Sequence, residues 1–192
     1  NEWEEYLKFY YKGLVKNINK YEKKGKILLS DGTSNIHPVW APNDKKFVYL
    51  SNKENDGFGQ TDLFSYSFID STSKKITAGV KTAPTWVNDS TLVYTKRSKP
   101  NKWGSKYFDL YKYLINEEKE QRITYNARLI SPIYNEKTNN IAAISSYDGT
   151  SNILISEDFN IDDDTLNFNQ ITNYNNGIQL LSLSWHESKL LV

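Results

Sequence analysis

The sequence contains neither cysteine nor methionine in its 192 residues. Without cysteine it can form no disulfide bond, thiolate metal site or cysteine nucleophile. Because an open reading frame begins with methionine and this sequence begins at Asn1, the sequence predicts an internal fragment of a longer protein.

An excess of charge and a long apolar run are missing as well. The sequence has 24 Lys and Arg residues and 23 Asp and Glu residues, so its net charge is +1. Such a charge gives no long-range field to attract nucleic acid or an anionic membrane. No apolar segment is long enough to cross a bilayer, and no basic stretch precedes an apolar one as in a signal peptide. The sequence therefore predicts no nucleic-acid partner and no membrane span.

The chain does contain an internal repeat of roughly 47 residues. A Pro-x-aromatic triplet places its aromatic residue at Trp40, Trp86 and Tyr134, and Trp185 follows at a similar step without the proline. Two further landmarks keep the spacing: Asp62-Leu63-Phe64 with Asp109-Leu110-Tyr111, and Lys75-Ile76-Thr77 with Arg122-Ile123-Thr124 and Gln170-Ile171-Thr172.

Each repeat is predicted to hold four strands. Side chains alternate with a period of two in segments such as 47–50, 91–94 and 141–144, which polar turn residues bound. Four strands in roughly 40 to 50 residues is the spacing of a β-propeller blade. The predicted fold class is all-β, a partial β-propeller of four-stranded antiparallel blades with an N-terminal α-helix. Trp40, Trp86 and Trp185 are predicted to pack between blades.

The first repeat resembles a known family. Residues 37–51, HPVWAPNDKKFVYLS, are similar to the P-x-W-S-P-D-G-K-K-I-A-Y-x-S signature of TolB-like, WD-repeat-related β-propellers. The second repeat lacks the second proline and the glycine of that signature, and Tyr134 replaces the tryptophan in the third. Family members usually carry about six blades and a closed ring needs at least about four, so about three blades plus the start of another imply a truncated ring.

Two segments are predicted, an N-terminal helix or linker from an upstream domain over 1–25 and a TolB-like propeller fragment over 26–192 with repeats starting near 37, 83, 131 and 182. Between residues 3 and 24, apolar residues recur at helical steps: Trp3, Tyr6, Leu7, Tyr10, Tyr11, Leu14, Ile18 and Tyr21. A basic stripe, Lys8, Lys12, Lys16 and Lys20, is typical either of the solvated face of a packed helix or of a helix that docks on an anionic surface. A Trp- and Tyr-rich helix before such blades also resembles proteins in which the upstream domain is metallopeptidase-like.

The sequence predicts no catalytic residue, no metal site and no cofactor. Its two histidines, His37 and His186, are far apart, and His186-Glu187 lacks the second histidine of an H-E-x-x-H motif. No G-x-S-x-G elbow or phosphate-binding loop is present. Residues 52–57 are similar to the start of a calcium loop, but Leu63 stands where its bidentate Glu should be, and the acidic run 162–164 has no such frame; both are predicted to be polar turns. His37 is expected to be structural or to face the central channel.

The loops between second and third strands hold the candidate binding residues. Alternate connections of a four-stranded meander lie on the same side, so these loops share one face of the propeller. Aromatic rings flanked by charge are what a peptide- or glycan-binding surface needs, although the same rings are also used to pack between blades. The candidates are Phe58, Lys102, Trp103, Lys106 and Tyr107.

The predicted function is a non-catalytic scaffold that binds a protein or peptide. The TolB-like resemblance implies a larger exported bacterial protein, periplasmic or extracellular. An alternative of a different class is an accessory propeller that gates substrates for a hydrolase domain, either metallopeptidase or serine peptidase. A third alternative is a carbohydrate-binding propeller, which would lose soluble glycans on Trp103→Ala.

Overall fold

The computed structural model describes residues 1–20, 25–147, 149–175 and 177–192. These residues form two compact units, Asn1–Ser30 and Asp31–Val192.

The first unit contains one helix, α1 (Glu2–Asn19). Glu2, Glu4 and Glu5 lie in its first turn, where the helix dipole favours negative charge, and Glu4 pairs with Lys8 at 3.3 Å. No residue of α1 is buried. Apart from the half-buried Leu7, the described residues of the apolar stripe are exposed rather than packed, and Tyr21 and the predicted last turn, 21–24, lie outside the described residues.

The second unit is a series of antiparallel sheets whose strands follow chain order. The first sheet consists of β1 (Asn35–Trp40), β2 (Lys46–Ser51), β3 (Asp62–Ser67) and β4 (Thr72–Thr77). The second consists of β5 (Thr85–Asn88), β6 (Thr91–Arg97), β7 (Phe108–Leu114) and β8 (Lys119–Arg122). The third consists of β9 (Leu129–Asn135), β10 (Asn140–Tyr147), β11 (Thr150–Ser156) and β12 (Asn169–Gln170), and a hairpin follows, β13 (Ser184–His186) with β14 (Lys189–Leu191).

The hydrophobic core lies between successive sheets. Alternation along β6 sends one set of side chains towards the preceding sheet and the other set towards the next. Leu50 of the first sheet thus packs in one cluster with Leu92 and Tyr94 of the second, and Val93 on the other side of β6 packs with Ile141 of the third. The first strands β1, β5, β9 and β13 contact one another in turn. They therefore form the inner edge of the stack.

Two prolines of the repeat, Pro38 and Pro132, stand at irregularities of the first strand, whereas Pro84 precedes β5. The register shifts between Ile36 and Val39 in β1, and His37 before the proline has a positive φ of 52°. Ser131 before Pro132 is equivalent, with a φ of 51°. A bulge leaves its extra residue out of the hydrogen-bond ladder, so a residue without an N–H is tolerated there. The proline of the repeat is therefore compatible with a strand.

The repeat aromatic residues connect successive sheets. The indole Nε1 of Trp86 donates to the carbonyl oxygen of Val39 at 3.1 Å, and Trp185 donates to Ile133 at 3.4 Å. These contacts confirm that both tryptophans pack between sheets. For Trp40 no sheet precedes its own in the described ranges, its side chain is 54% exposed, and its ring stacks on Phe68 of its own sheet at 5.2 Å; packing of Trp40 between blades stays a prediction.

The other two landmarks of the repeat meet each other inside each sheet. In the second sheet the Asp109 carboxylate is fully buried and accepts hydrogen bonds from Arg122 at 2.6 Å, Thr124 at 3.2 Å and the backbone N–H of Ala127 at 2.9 Å. In the first sheet Asp62 pairs with Lys75 at 2.6 Å and accepts the N–H of Gly79 at 2.9 Å. This buried carboxylate fixes the turn that leads from the fourth strand to the next sheet.

The third sheet makes the same connection with neutral groups. Asn152 stands at the position of Asp109, and its Oδ1 accepts from Thr172 at 3.0 Å and from the backbone N–H of Tyr174 at 2.7 Å. Gln170 stands at the position of Arg122. The acceptor geometry is therefore kept while the charge pair is lost.

A polar cluster links the first sheet to the second. Glu120 accepts hydrogen bonds from Tyr94 and from Thr77 of the first sheet, both at 2.7 Å, and from Lys96 at 2.9 Å. Burial acts to raise the pKa of Glu120, but these hydrogen bonds and the Lys96 charge outweigh it and hold the pKa below its usual value. The ionised form is therefore the one that stabilises the folded state.

We predict that Glu120→Gln makes the protein less sensitive to acid. A lowered carboxyl pKa gives stability that is present above the unfolded value of about 4.3 and is lost as the pH falls through the folded value. The wild type should thus lose unfolding free energy as the pH falls from about 5 to about 2, through the unfolded and then the lower folded pKa, and Glu120→Gln should start lower and lose less. Urea unfolding over this range measures both slopes, with Glu117→Gln, on an exposed turn, as the matched control. Equal slopes in the wild type and Glu120→Gln would contradict the assignment.

Candidate functional site

The site lies at one end of the sheets, on what we call the loop face. It consists of the β2–β3 loop (52–61), the β6–β7 loop (98–107) and the links 78–84 and 123–128 between sheets. Because strands in each sheet are antiparallel and adjacent in chain order, these segments lie at the same end, as predicted. In the third sheet β10 ends at Tyr147 and β11 begins at Thr150, so no long loop lies between them at this end; the long loop of that sheet, 157–168, lies at the opposite end.

Trp103 is presented at the tip of a tight turn. The side-chain oxygen of Asn101 accepts the backbone N–H groups of Trp103 at 2.9 Å and Ser105 at 3.0 Å. Gly104 supplies the positive φ of 77° that this turn requires. The Trp103 side chain is 78% exposed, with the Lys102 ammonium 4.9 Å from its ring centre. The sequence left open whether this ring is exposed on a binding surface or packed between blades. The structure shows it exposed.

Phe58 occupies the corresponding loop of the first sheet and is 81% exposed. The N–H of Gln60 donates to the carbonyl of Gly57 at 3.0 Å, which closes a turn around Phe58. The loop residues that are similar to a calcium loop have other partners. Asn52 accepts the N–H groups of Thr33 at 3.1 Å and Ser34 at 3.0 Å, and Glu54 pairs with Lys75 at 3.1 Å.

Between the loops of the second and third sheets lies a cleft of about 350 Å³, which we call the basic cleft. Tyr107 and Phe108 supply aromatic surface, and the cations come from the end of β6, the β6–β7 loop and the link before β9. Its lining consists of Arg97, Lys106, Tyr107, Phe108, Arg128, Ile130 and Ser146.

Aromatic rings hold both arginines of the basic cleft. The Arg97 guanidinium carbon lies 5.2 Å from the Phe108 ring centre, and that of Arg128 lies 4.6 Å from Tyr107 and 4.9 Å from Tyr147. Hydrogen bonds with Ser105 and Arg128 lower the pKa of the Tyr107 phenol. The cleft therefore has an ordered wall of alternating cations and rings.

The five predicted site residues are brought together in part. Lys106 and Tyr107 line the basic cleft, Lys102 and Trp103 form a pair on the same loop, and Phe58 stands on the loop of the neighbouring sheet. Sequence reasoning missed Arg97 and Arg128. A signal was available, since a strand end and a link that leave successive sheets on the same face must be neighbours.

A second cavity lies at the inner edge of the sheets. It has a volume of about 220 Å³ and is lined by residues at or next to the repeat prolines and by the segment before the last hairpin, including His37, Pro84, Ser131 and Leu183. His37 thus faces the inner cavity, one of the two positions expected for it. His186 is the last residue of β13 and Glu187 begins the turn of the last hairpin, where the Glu187 carbonyl accepts from Asn135 at 2.6 Å.

The backbone at the acidic run 162–164 binds a lysine of the neighbouring sheet. Lys112 is only 3% exposed, and its ammonium donates to the carbonyl oxygens of Ile161 at 2.5 Å and Asp163 at 2.9 Å. Gln121 donates to the Asp164 carboxylate at 2.6 Å. The run therefore fastens the β11–β12 loop to the second sheet. Across the described ranges, no group of three or more His, Asp or Glu side chains is placed to hold a metal ion.

The sheet order and the inner ring of first strands define a partial β-propeller, and comparison with solved structures confirms its TolB-like fold. The chain is similar to TolB from Acinetobacter baumannii at 17% identity and a TM-score of 0.58, over 76% of this chain and 34% of that one. It is also similar to the β-propeller domain of the Trilobed protease from Pyrococcus furiosus, at 9% identity and a TM-score of 0.55 over 84% of this chain and 48% of that one. A prolyl endopeptidase is similar at 11% identity and a TM-score of 0.55, over 85% of this chain and 24% of that one.

The chain thus spans about a third of TolB and less than half of the other two. No known protein family matches the sequence, and no curated protein does. No helix in the part of the chain that the structure describes is long and apolar enough to cross a membrane.

Proposed function

We propose that the chain is a non-catalytic scaffold that binds a protein or peptide through the loop face. The observation that carries this proposal is the exposure of Phe58 and Trp103 at the tips of two hydrogen-bonded turns at the same end of the sheets. A large ring held in water by an ordered turn loses little entropy when a partner covers it.

Export to the periplasm or the extracellular space belongs to the same proposal and is supported by the TolB-like resemblance. A second candidate is an accessory propeller of a peptidase, which the similarity to the propeller of the Trilobed protease favours. An H-E-x-x-H motif or a serine elbow elsewhere in the same polypeptide would support this candidate. A further repeat or a signal peptide would support the scaffold.

We predict that Phe58→Ala and Trp103→Ala each weaken peptide binding by about tenfold or more, since central aromatic residues contribute most to such interfaces. Peptides selected from a random displayed library on the full chain provide the ligands, and calorimetry with the variants measures the affinity. Ile69→Ala is the matched control, because Ile69 is 80% exposed on a turn at the opposite end of the first sheet.

Binding that survives both loop-face substitutions, or that Ile69→Ala weakens equally, would overturn the proposal. A glycan array on the same proteins tests the carbohydrate alternative. Glycan binding that is lost in Trp103→Ala, without peptide binding by the wild type, would replace the peptide scaffold by a carbohydrate-binding propeller.

A further inference from the structure

We infer that the basic cleft binds a carboxylate group of an acidic peptide. This inference rests on the proposed function and names the chemistry of the partner. Arg97, Lys106 and Arg128 converge on one cleft of about 350 Å³, and among the residues that the structure describes no acidic side chain lines it.

The cations of the basic cleft differ from the other cations that lie between sheets. Lys96, next to Arg97 in the chain, pairs with Glu120, and Arg122 pairs with the buried Asp109. Neither Arg97, Lys106 nor Arg128 takes part in any ion pair within the described ranges of the chain. In a protein with a net charge of +1, this is a local surplus of positive charge rather than a general one.

Both guanidinium groups keep hydrogen-bond donors available. Contact with the face of a ring holds the position of an arginine while its N–H groups point outward in the guanidinium plane. Arg97 on Phe108, and Arg128 between Tyr107 and Tyr147, are therefore held in place for a two-point contact with a planar anion. Less side-chain entropy remains to be lost when the anion binds.

The surroundings favour a peptide as the source of the carboxylate. Phe108 and Ile130 give the basic cleft an apolar wall that can cover the stem of a glutamate or an aromatic neighbour. Two residues of the cleft lining, Lys106 and Tyr107, belong to the loop that also carries Lys102 and the exposed Trp103. A segment that alternates acidic and aromatic residues matches this order of charge and rings.

Three short synthetic peptides on the full chain test the inference by calorimetry. The first alternates glutamate and tyrosine and is amidated at its C-terminus, the second replaces glutamate by glutamine and ends in a free carboxylate, and the third is the amidated glutamine peptide. We expect the first or second to bind at least about tenfold more tightly than the third, with an affinity that falls as salt rises. Tighter binding of the first identifies side-chain carboxylates, and tighter binding of the second identifies the terminal carboxylate.

We expect the double variant Arg97→Gln/Arg128→Gln to lose this preference about tenfold or more, because charge-assisted hydrogen bonds are lost. Lys45→Gln, on a turn at the opposite end of the first sheet, should retain it. Thermal unfolding verifies that each variant is folded. A milder variant, Arg128→Lys, keeps the charge but removes the planar fork and should give an intermediate loss.

Equal affinity for the three peptides would overturn the inference. If peptides selected from a library still require Phe58 and Trp103 in that case, the scaffold function survives without a carboxylate site. If no peptide of either kind binds, the proposed function and the inference fail together. A carboxylate preference that persists in the double variant would also overturn the inference.

Discussion

Asp109→Ala is expected to reduce the free energy of unfolding by about 3–5 kcal/mol, the cost of breaking a buried charge pair from one side. The substitution leaves the Arg122 guanidinium, which is only 24% exposed, without its carboxylate, and it removes the acceptor of the Ala127 N–H. Because Asp109 fixes the start of the link between the second and third sheets, the loss should extend to the packing of Leu129 and Ile141.

The third sheet supplies the matched control. Asp109→Asn/Arg122→Gln copies the neutral pair found at Asn152 and Gln170, in which an amide oxygen still accepts the backbone N–H of the turn. Because replacing both partners avoids an unpaired buried charge, this double variant should lose only about 1 kcal/mol. Urea unfolding followed by tryptophan fluorescence gives both values. A double variant as unstable as Asp109→Ala would show that the charge itself, and not the acceptor geometry, holds the link.

The blade repeat could be predicted from the sequence because it depends on short-range patterns. Asp62 and Lys75, for example, recur at the spacing of Asp109 and Arg122 because each pair closes the same local connection. The fate of Trp40 could not be predicted in this way. Its repeat position is that of Trp86, and only the sheet on its other side decides whether the ring is buried.

The candidate site could be predicted only in part for the same reason. The chain itself places Phe58 and Trp103 on long polar loops, but the turn that keeps Trp103 exposed depends on the side chain of Asn101. The basic cleft requires Arg97 and Arg128 from two different sheets to meet. Such a contact depends on how sheets stack, which a pattern within one repeat does not contain.

Trp86→Ala is expected to reduce the free energy of unfolding by about 3–5 kcal/mol, as for other large core aromatic residues. Trp86 is 7% exposed and shares a cluster with Val39 and Leu50 of the first sheet and Leu92 of its own. The substitution leaves a cavity between two sheets and removes the hydrogen bond to the Val39 carbonyl. We therefore expect the substitution to weaken the contact between the first and second sheets.

Trp40→Ala is the matched control, because the same residue at the same repeat position is more than half exposed. It loses mainly the stack on Phe68, so about 1–2 kcal/mol is expected. Trp86→Phe keeps most of the ring and loses the indole N–H, and it should fall between the two. Urea unfolding followed by far-ultraviolet circular dichroism compares all three without relying on tryptophan fluorescence. If Trp40→Ala and Trp86→Ala lose equal stability, contact between sheets is not what the repeat tryptophan contributes, and its role lies within each sheet.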